Sequence, residues 1–113
     1  MIDLEKMAEA HKKLFPNATA GNQLWKLEEE IEEWYNAEPE DEVDELADIF
    51  IVCGGLYRWF PLTATAVANC FRIINRSKIC DADIETIINR KWEINKKRKW
   101  EWNGKTYHHV EEK

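Results

Sequence analysis

Residues 43–56 read Val-Asp-Glu-Leu-Ala-Asp-Ile-Phe-Ile-Val-Cys-Gly-Gly-Leu and form the most apolar segment of the chain. Their apolar side chains recur at three- and four-residue steps, as in an α-helix, at Val43, Leu46, Ala47 and Phe50. From Ile49 onward the segment is apolar nearly all round, which is typical of a helix buried at the centre of a bundle. We therefore expect a central helix that opens with Glu40 and Asp41 and continues to about Trp59.

Four other segments carry helical periodicity, and they lie at about residues 2–15, 19–35, 61–75 and 84–97. In the 19–35 segment, the stripe expected to face the core consists of Leu24, Leu27, Ile31, Trp34 and Tyr35. Asp81 or Asp83 is expected to cap the last helix. Its inward positions are expected to be Ile84, Ile87, Ile88, Trp92 and Ile94.

The tail of the chain changes to an alternating pattern. The segment Trp100-Glu-Trp-Asn-Gly-Lys-Thr-Tyr107 surrounds Asn103-Gly104, the strongest short signal for a β-hairpin with a two-residue turn. The sequence thus predicts one all-α domain over residues 1–113, a bundle of four or five helices with a short C-terminal β-hairpin.

The composition limits the function classes. The formal charge of −6 argues against binding long nucleic acid through a general basic surface, although a small phosphorylated ligand held through metal ions is compatible with it. Cys53, Cys70 and Cys80 form no Cys-x-x-Cys pair, which favours a reducing compartment. The first residues lack a signal pattern, and the apolar run from Ile49 to Leu56 is too short to span a bilayer. We expect a cytoplasmic protein that has no membrane partner.

Two acidic pairs in helical spacing flank a short break at residues 36–40. Glu30 and Glu33 precede the break, and Glu45 and Asp48 follow it. Residues three apart share one face of a helix. An antiparallel hairpin would bring the two pairs to heights that differ by only roughly 3 Å, at ~1.5 Å of rise per residue. The four carboxylates are therefore expected to converge between the helices, where like charges repel unless a cation holds them.

A solvated acidic face is the ordinary explanation for a run such as Glu28-Glu-Glu-Ile-Glu-Glu33. Asp48 favours a different explanation, because it directly precedes the most apolar run and an ionised carboxylate is costly to bury without a partner. Either a lysine or arginine neutralises Asp48, or a metal ion does. The matching positions of Glu30, Glu33 and Glu45 favour the metal.

An all-carboxylate ligand set suits Mg²⁺, with Mn²⁺ as an alternative, rather than Zn²⁺ or copper. Helical di-iron sites use Glu-x-x-His pairs, and none of His11, His108 and His109 follows a glutamate in this way within the acidic helices. Because Mg²⁺ readily shares its coordination shell with phosphate oxygens, the cluster indicates hydrolysis of a phosphate ester or anhydride.

Lys91, Asn95 and Arg98 lie at i, i+4 and i+7, along one face of the last predicted helix. A cation, an amide and a guanidinium are groups that hold phosphate oxygens. A basic final turn that complements the helix dipole is the simpler explanation of the charges. That explanation accounts less naturally for Asn95.

Three motifs therefore occur in order along the chain, with eleven residues between the first two. They are Glu29-Glu-Ile-Glu-Glu33, Glu45-Leu-Ala-Asp48 and Lys91-Trp-Glu-Ile-Asn95-Lys-Lys-Arg98. In this arrangement the sequence resembles the MazG-type all-α nucleoside triphosphate pyrophosphohydrolases, whose relatives include dimeric dUTPases and dCTP pyrophosphatases. The resemblance covers about residues 20–100, most of the chain.

The resemblance implies Mg²⁺-dependent hydrolysis of an NTP or dNTP between the α and β phosphates, which gives the monophosphate and pyrophosphate. The metal ligands it implies are Glu30, Glu33, Glu45 and Asp48. The catalytic residues it implies are Glu29, Glu30 and Glu33, where Glu29 is a further ligand or orients the attacking water. Lys26 and Gln23, one and two turns before Glu30 on its face, join the expected substrate contacts Lys91, Asn95 and Arg98. The resemblance also implies a homodimer or homotetramer.

Two alternatives remain open at this point. One is a non-catalytic helical module whose acidic face binds a basic partner. The other is a related pyrophosphohydrolase that acts on another substrate, such as phosphoribosyl-ATP or a sugar nucleotide. The tryptophans are expected mostly in the core or at interfaces. The first candidates for stacking on a nucleobase are Trp25 and the hairpin.

Overall fold

The computed structural model describes residues 3–76, 81–104 and 107–110, and it confirms an all-α bundle with a short C-terminal hairpin. The helices are α1 (Leu4–Leu14), α2 (Ala20–Tyr35), α3 (Glu42–Leu56), α4 (Pro61–Arg76) and α5 (Asp81–Lys97), followed by the strands β1 (Lys99–Trp102) and β2 (Tyr107–Val110). In the described ranges, no helix is both long and apolar enough to cross a bilayer.

The apolar segment forms α3, which contacts α1, α2, α4 and α5. Its core side chains are shielded from solvent, and they include Ala47, Ile49, Phe50, Cys53 and Leu56. The side chains that complete this core come from the surrounding helices, among them Leu27, Phe71, Ile84 and Ile88. The prediction of a central buried helix is confirmed.

The end of α3 lies three residues before the expected one. The Arg58 and Trp59 N–H groups donate to the carbonyl oxygens of Gly55 and Leu56, at 3.2 and 3.1 Å. Bonds that reach back three residues tighten the last turn of a helix and satisfy its terminal carbonyl groups. Pro61 then begins α4.

The predicted core stripe of α2 is wrong at two positions. Leu27 is buried, and Ile31 and Trp34 pack against the core, but Leu24 is 44% exposed and Tyr35 80% exposed. Both lie roughly 60–80° around the helix from Leu27, at about 3.6 residues per turn, and thus at the edge of the stripe. The residue buried in the first turns of α2 is instead the polar Gln23.

The predictions for α5 concern its inward positions and its N-terminal cap. Ile94 is 46% exposed and does not face the core as predicted. The predicted caps of α5 are the side chains of Asp81 and Asp83, which lie outside the described part of the structure, as does Cys80. Cys53 and Cys70 are unpaired thiols.

The hairpin is confirmed, but its predicted two-residue turn is wrong. Trp102 pairs with Tyr107 and Trp100 pairs with His109, so residues 103–106 lie between the strands. A two-residue type I′ turn needs positive φ at both central residues. Among the described residues only Gly104 has positive φ, at 96°, so Asn103 does not adopt that turn.

Candidate functional site

Three of the four predicted metal ligands meet between α2 and α3. Glu30 of α2 and Glu45 and Asp48 of α3 each offer a carboxylate oxygen, and these oxygens lie within 4.8 Å of one another. The two helices pack along each other after the short break at residues 36–40. The i, i+3 spacing on each helix therefore produces this convergence.

Glu33, the fourth predicted ligand, lies at the edge of this three-carboxylate cluster. Its carboxylate is exposed and accepts a hydrogen bond from the protonated side chain of Glu30. Glu29 is also exposed and is not one of the three clustered carboxylates. Because successive residues are rotated by about 100° around a helix, Glu29 and Glu30 leave α2 in different directions.

Burial and mutual repulsion favour the protonated forms of the clustered carboxylates. Burial, together with the charges of Asp48 and Glu33, raises the pKa of Glu30 from 4.5 to about 7. Burial, followed by the charge of Asp48, raises the pKa of Glu45. Burial also raises the pKa of Asp48, although the Lys91 ammonium opposes that rise. A cation placed among these oxygens would favour their ionised forms instead.

Two oxygens of the cluster lack a partner. Glu30 Oε2 and Glu45 Oε2 are buried and accept no hydrogen bond from any described residue. Leaving a buried acceptor unsatisfied costs free energy, and one divalent ion can satisfy several such oxygens at once. A donor set made only of carboxylate oxygens fits Mg²⁺ or Mn²⁺. The residues present therefore fit the predicted ion.

Lys91 does not take the position expected of a phosphate contact. Its Nζ lies 3.1 and 3.2 Å from the two carboxylate oxygens of Asp48 and donates to the Asp44 carbonyl oxygen at 3.0 Å. A lysine thus neutralises Asp48, as one alternative allowed. Within the described ranges, no such ion pair joins Glu30 or Glu45 to a cation.

A cavity of about 260 Å³ lies beside the cluster, between α2, α3, α5 and the hairpin. Glu30 and Asp48 line its acidic end. Of the five predicted substrate contacts, those that line the cavity are Gln23, Lys26, Asn95 and Arg98. The structure therefore brings two sets of predicted contacts to one cavity beside the carboxylates, although Arg98 follows the end of α5 and does not lie on its face as predicted.

The other end of the cavity is aromatic. Phe15, Trp100, Trp102 and Tyr107 line it. The Phe15 ring lies 5.2 Å from Trp100 and 4.9 Å from Tyr107, measured between centroids, and meets both edge to face. The sequence predicts the hairpin from its alternation, but that pattern contains no signal that the hairpin packs against the end of α1.

Two hydrogen bonds fix the hairpin in this place. The Tyr107 hydroxyl accepts from the Asn17 N–H at 2.9 Å, and Trp100 Nε1 donates to the Asn95 carbonyl oxygen at 2.9 Å. They connect the hairpin to the α1–α2 loop and to α5. The aromatic wall is therefore attached to the elements that carry the polar wall.

His11 is a buried part of the cavity wall, a position that its sequence context does not indicate. Arg58 Nη1 lies 2.9 Å from His11 Nδ1 and must donate, because a guanidinium has no acceptor. Burial, with the charges of Arg58 and Lys26, lowers the pKa of His11 to about 4, so the ring is neutral near pH 7. The Gln23 side chain hydrogen-bonds His11 and donates through Nε2 to the Val52 carbonyl oxygen at 3.0 Å.

The raised pKa of Glu30 predicts a pH-dependent effect of Glu30→Gln on stability without divalent ions. A folded-state pKa of about 7 against 4.5 means that the stability contributed by Glu30 is complete below pH 4.5 and lost as the pH rises through 7. Between pH 5 and pH 8 we expect the free energy of unfolding of the variant to rise by about 1–2 kcal/mol relative to that of the wild type. The rise is smaller than the full pKa shift would give, because solvent reaches this site and screens the charges. Urea unfolding of both proteins in EDTA measures it.

The wild type must be compared with the variant, because the contribution of His11 to stability changes with pH in the opposite direction to that of Glu30. Its lowered pKa means that the stability it contributes is present above pH 6.5 and lost as the pH falls through about 4. The wild-type profile therefore mixes both groups, whereas the difference between the two proteins removes the contribution of His11 and leaves that of Glu30 and the carboxylates that interact with it. A difference that stays constant from pH 5 to pH 8 would contradict the prediction.

Comparisons with known proteins supply no relative for this site: no family model, no curated protein and no solved structure matches the chain.

Proposed function

We propose that the protein is a Mg²⁺-dependent nucleoside triphosphate pyrophosphohydrolase that cleaves an NTP or dNTP between the α and β phosphates. One observation carries the proposal. Two buried carboxylate oxygens, on Glu30 and Glu45, have no hydrogen-bond partner in the described part of the chain, and they belong to a cluster that borders a cavity also lined by Lys26 and Arg98. A site of this composition suits a polyanion that arrives with a divalent cation.

The acidic residues would hold the ion and position the attacking water. Glu30, Glu45 and Asp48 would hold the ion, and Glu33 would complete the set from its exposed edge. When bound, Mg²⁺ offsets the charge of the phosphate oxygens and makes water a better nucleophile near neutral pH. Glu33, the exposed α2 carboxylate beside Glu30, would also orient the attacking water and accept its proton.

The basic and amide groups of the cavity would bind the phosphates. The Arg98 guanidinium suits two non-bridging oxygens at once, and Lys26 suits one as a point charge. Asn95 would donate an amide N–H. In the reaction a water oxygen bonds to the α phosphorus, and the bond from this phosphorus to the oxygen that bridges the α and β phosphates breaks. Pyrophosphate leaves with the electron pair of the broken bond. The products are the nucleoside monophosphate, pyrophosphate and a proton.

A panel of NTPs and dNTPs with Mg²⁺ tests this proposal. We expect at least one nucleotide to give monophosphate and pyrophosphate in equal amounts, and EDTA to stop the reaction. Phosphorus NMR distinguishes pyrophosphate from orthophosphate, and phosphoribosyl-ATP in the same panel tests the related substrate. Release of orthophosphate, or no turnover by a folded protein, would contradict the proposal.

The Lys91–Asp48 ion pair favours one other candidate, a non-catalytic module whose acidic face binds a basic partner. In that case Asp48 would be satisfied by Lys91, and the interacting groups would be the exposed α2 carboxylates Glu28, Glu29, Glu32 and Glu33. Calorimetric titration with Mn²⁺ separates the two candidates. A module of this kind has no need for the ion, whereas the enzyme binds it through Glu30 and Glu45.

A further inference from the structure

The lining of the cavity changes in a regular order along its length. On α2, Lys26 lies about 6 Å and Gln23 about 10 Å from Glu30, at ~1.5 Å of rise per residue. Arg98, which lies between α5 and β1, and Trp100 of β1 also line the cavity. The order is therefore carboxylates, cations, and then amide and aromatic groups. A nucleotide bound through a metal ion has its parts in the same order.

The aromatic residues of the hairpin differ in how their polar atoms are used. Trp100 Nε1 and the Tyr107 hydroxyl are engaged with Asn95 and Asn17. Trp102 is half-buried, and its ring contacts Tyr107 at 5.1 Å between centroids. Its indole N–H donates to no acceptor in the described ranges. Trp102 therefore offers the cavity both an aromatic surface and an available donor.

Gln23 supplies a fixed polar group to the same end of the cavity. The side chain is 4% exposed and lines the cavity wall. Its Nε2 donates one N–H to the Val52 carbonyl oxygen, and since Arg58 occupies Nδ1 of His11, the His11 Nε2–H donates to the Gln23 oxygen. One N–H of the Gln23 amide remains for an acceptor atom of a ligand.

We propose that the aromatic end of the cavity is a nucleobase site, in which Trp102 stacks on the base and the remaining N–H of Gln23 donates to an acceptor on its edge. The inference rests on the proposed function for the position of the phosphates. A flat ring with polar edge atoms matches both the aromatic wall and the buried amide. A purely apolar ligand would leave the Gln23 donor unsatisfied, which is costly in a buried site.

Binding of nucleoside 5′-monophosphates in EDTA, measured by calorimetry, tests the site without requiring hydrolysis. We expect Trp102→Ala to weaken binding about 10-fold or more, the size of effect that base stacking on an aromatic side chain produces. Trp102→Phe should keep most of the affinity, which also shows that the hairpin still folds. Trp25→Ala is the matched control, because Trp25 is 61% exposed and does not line the cavity. Ribose 5-phosphate, which lacks a base, should bind weakly to all four proteins.

The outcomes separate this inference from the proposed hydrolysis. Loss of nucleotide binding in Trp102→Ala alone supports the base site, even if no nucleotide is hydrolysed. For an active enzyme, the same variant should raise KM with a smaller change in kcat. Equal binding by wild type and Trp102→Ala, or equal losses in Trp102→Ala and Trp25→Ala, would overturn the base site while leaving the hydrolase proposal standing.

Discussion

Glu30→Gln is expected to reduce the rate of Mg²⁺-dependent pyrophosphate release about 10²- to 10³-fold. Glu30 is the residue of α2 that completes the cluster with Glu45 and Asp48, and its buried Oε2 has no hydrogen-bond partner among the residues that the structure describes. Glutamine keeps the size of the side chain but removes the charge that a metal ligand contributes. A lost metal interaction is worth several kcal/mol in the transition state, and each ~1.4 kcal/mol changes the rate tenfold.

The measurement is pyrophosphate release at saturating nucleotide, together with a Mn²⁺ titration of each protein. Glu28→Gln is the matched control, because it makes the same change on the same helix at an exposed position outside the cluster. That variant should keep nearly full activity and metal affinity. Glu30 is a cleaner test than Asp48, since Asp48→Asn also breaks the ion pair with Lys91. A Glu30→Gln enzyme with half the wild-type rate would rule out Glu30 as a metal ligand.

The carboxylate cluster could be predicted because it depends on local geometry. The i, i+3 spacing fixes which side chains share a helix face, and the short break after α2 leaves an antiparallel hairpin as the natural connection to α3. Glu30, Glu45 and Asp48 meet for these reasons. Glu33 was expected in the same group, but it lies one turn nearer the C-terminal end of α2 and remains exposed.

Other parts of the site depend on contacts between distant segments, which spacing does not encode. Lys91 lies on the predicted face of α5 and was expected to contact phosphate. Because of the way α5 packs against α3, the Lys91 ammonium contacts Asp48 instead. Gln23 is buried because α1 supplies His11 as its partner, and no apolar pattern marks such a position. The hairpin is recognisable from alternation, whereas its contact with Phe15 requires the fold to be known.

Gly54→Ala is expected to destabilise the protein by up to about 2 kcal/mol and to lower the Tm by up to roughly 8 °C. An added Cβ at position 54 would lie 2.7 Å from the Met7 Cβ, a distance that requires a shift. The Met7 Cβ is attached directly to the α1 backbone, so relief requires α1 to move away from α3. Overpacking a core costs about 1–3 kcal/mol, and the better helix propensity of alanine offsets roughly 1 kcal/mol of that cost.

Gly21→Ala is the control that separates crowding from helix propensity. Gly21 lies in the first turn of α2, and a Cβ there would meet nothing within 4 Å. The same substitution should therefore leave stability unchanged or raise it by up to about 1 kcal/mol. Thermal unfolding of both variants gives opposite signs if α1 and α3 are as close as Gly54 allows. A gain in Tm for Gly54→Ala would mean that the two helices are farther apart, and His11 could then not reach Gln23 and Arg58 in the cavity wall.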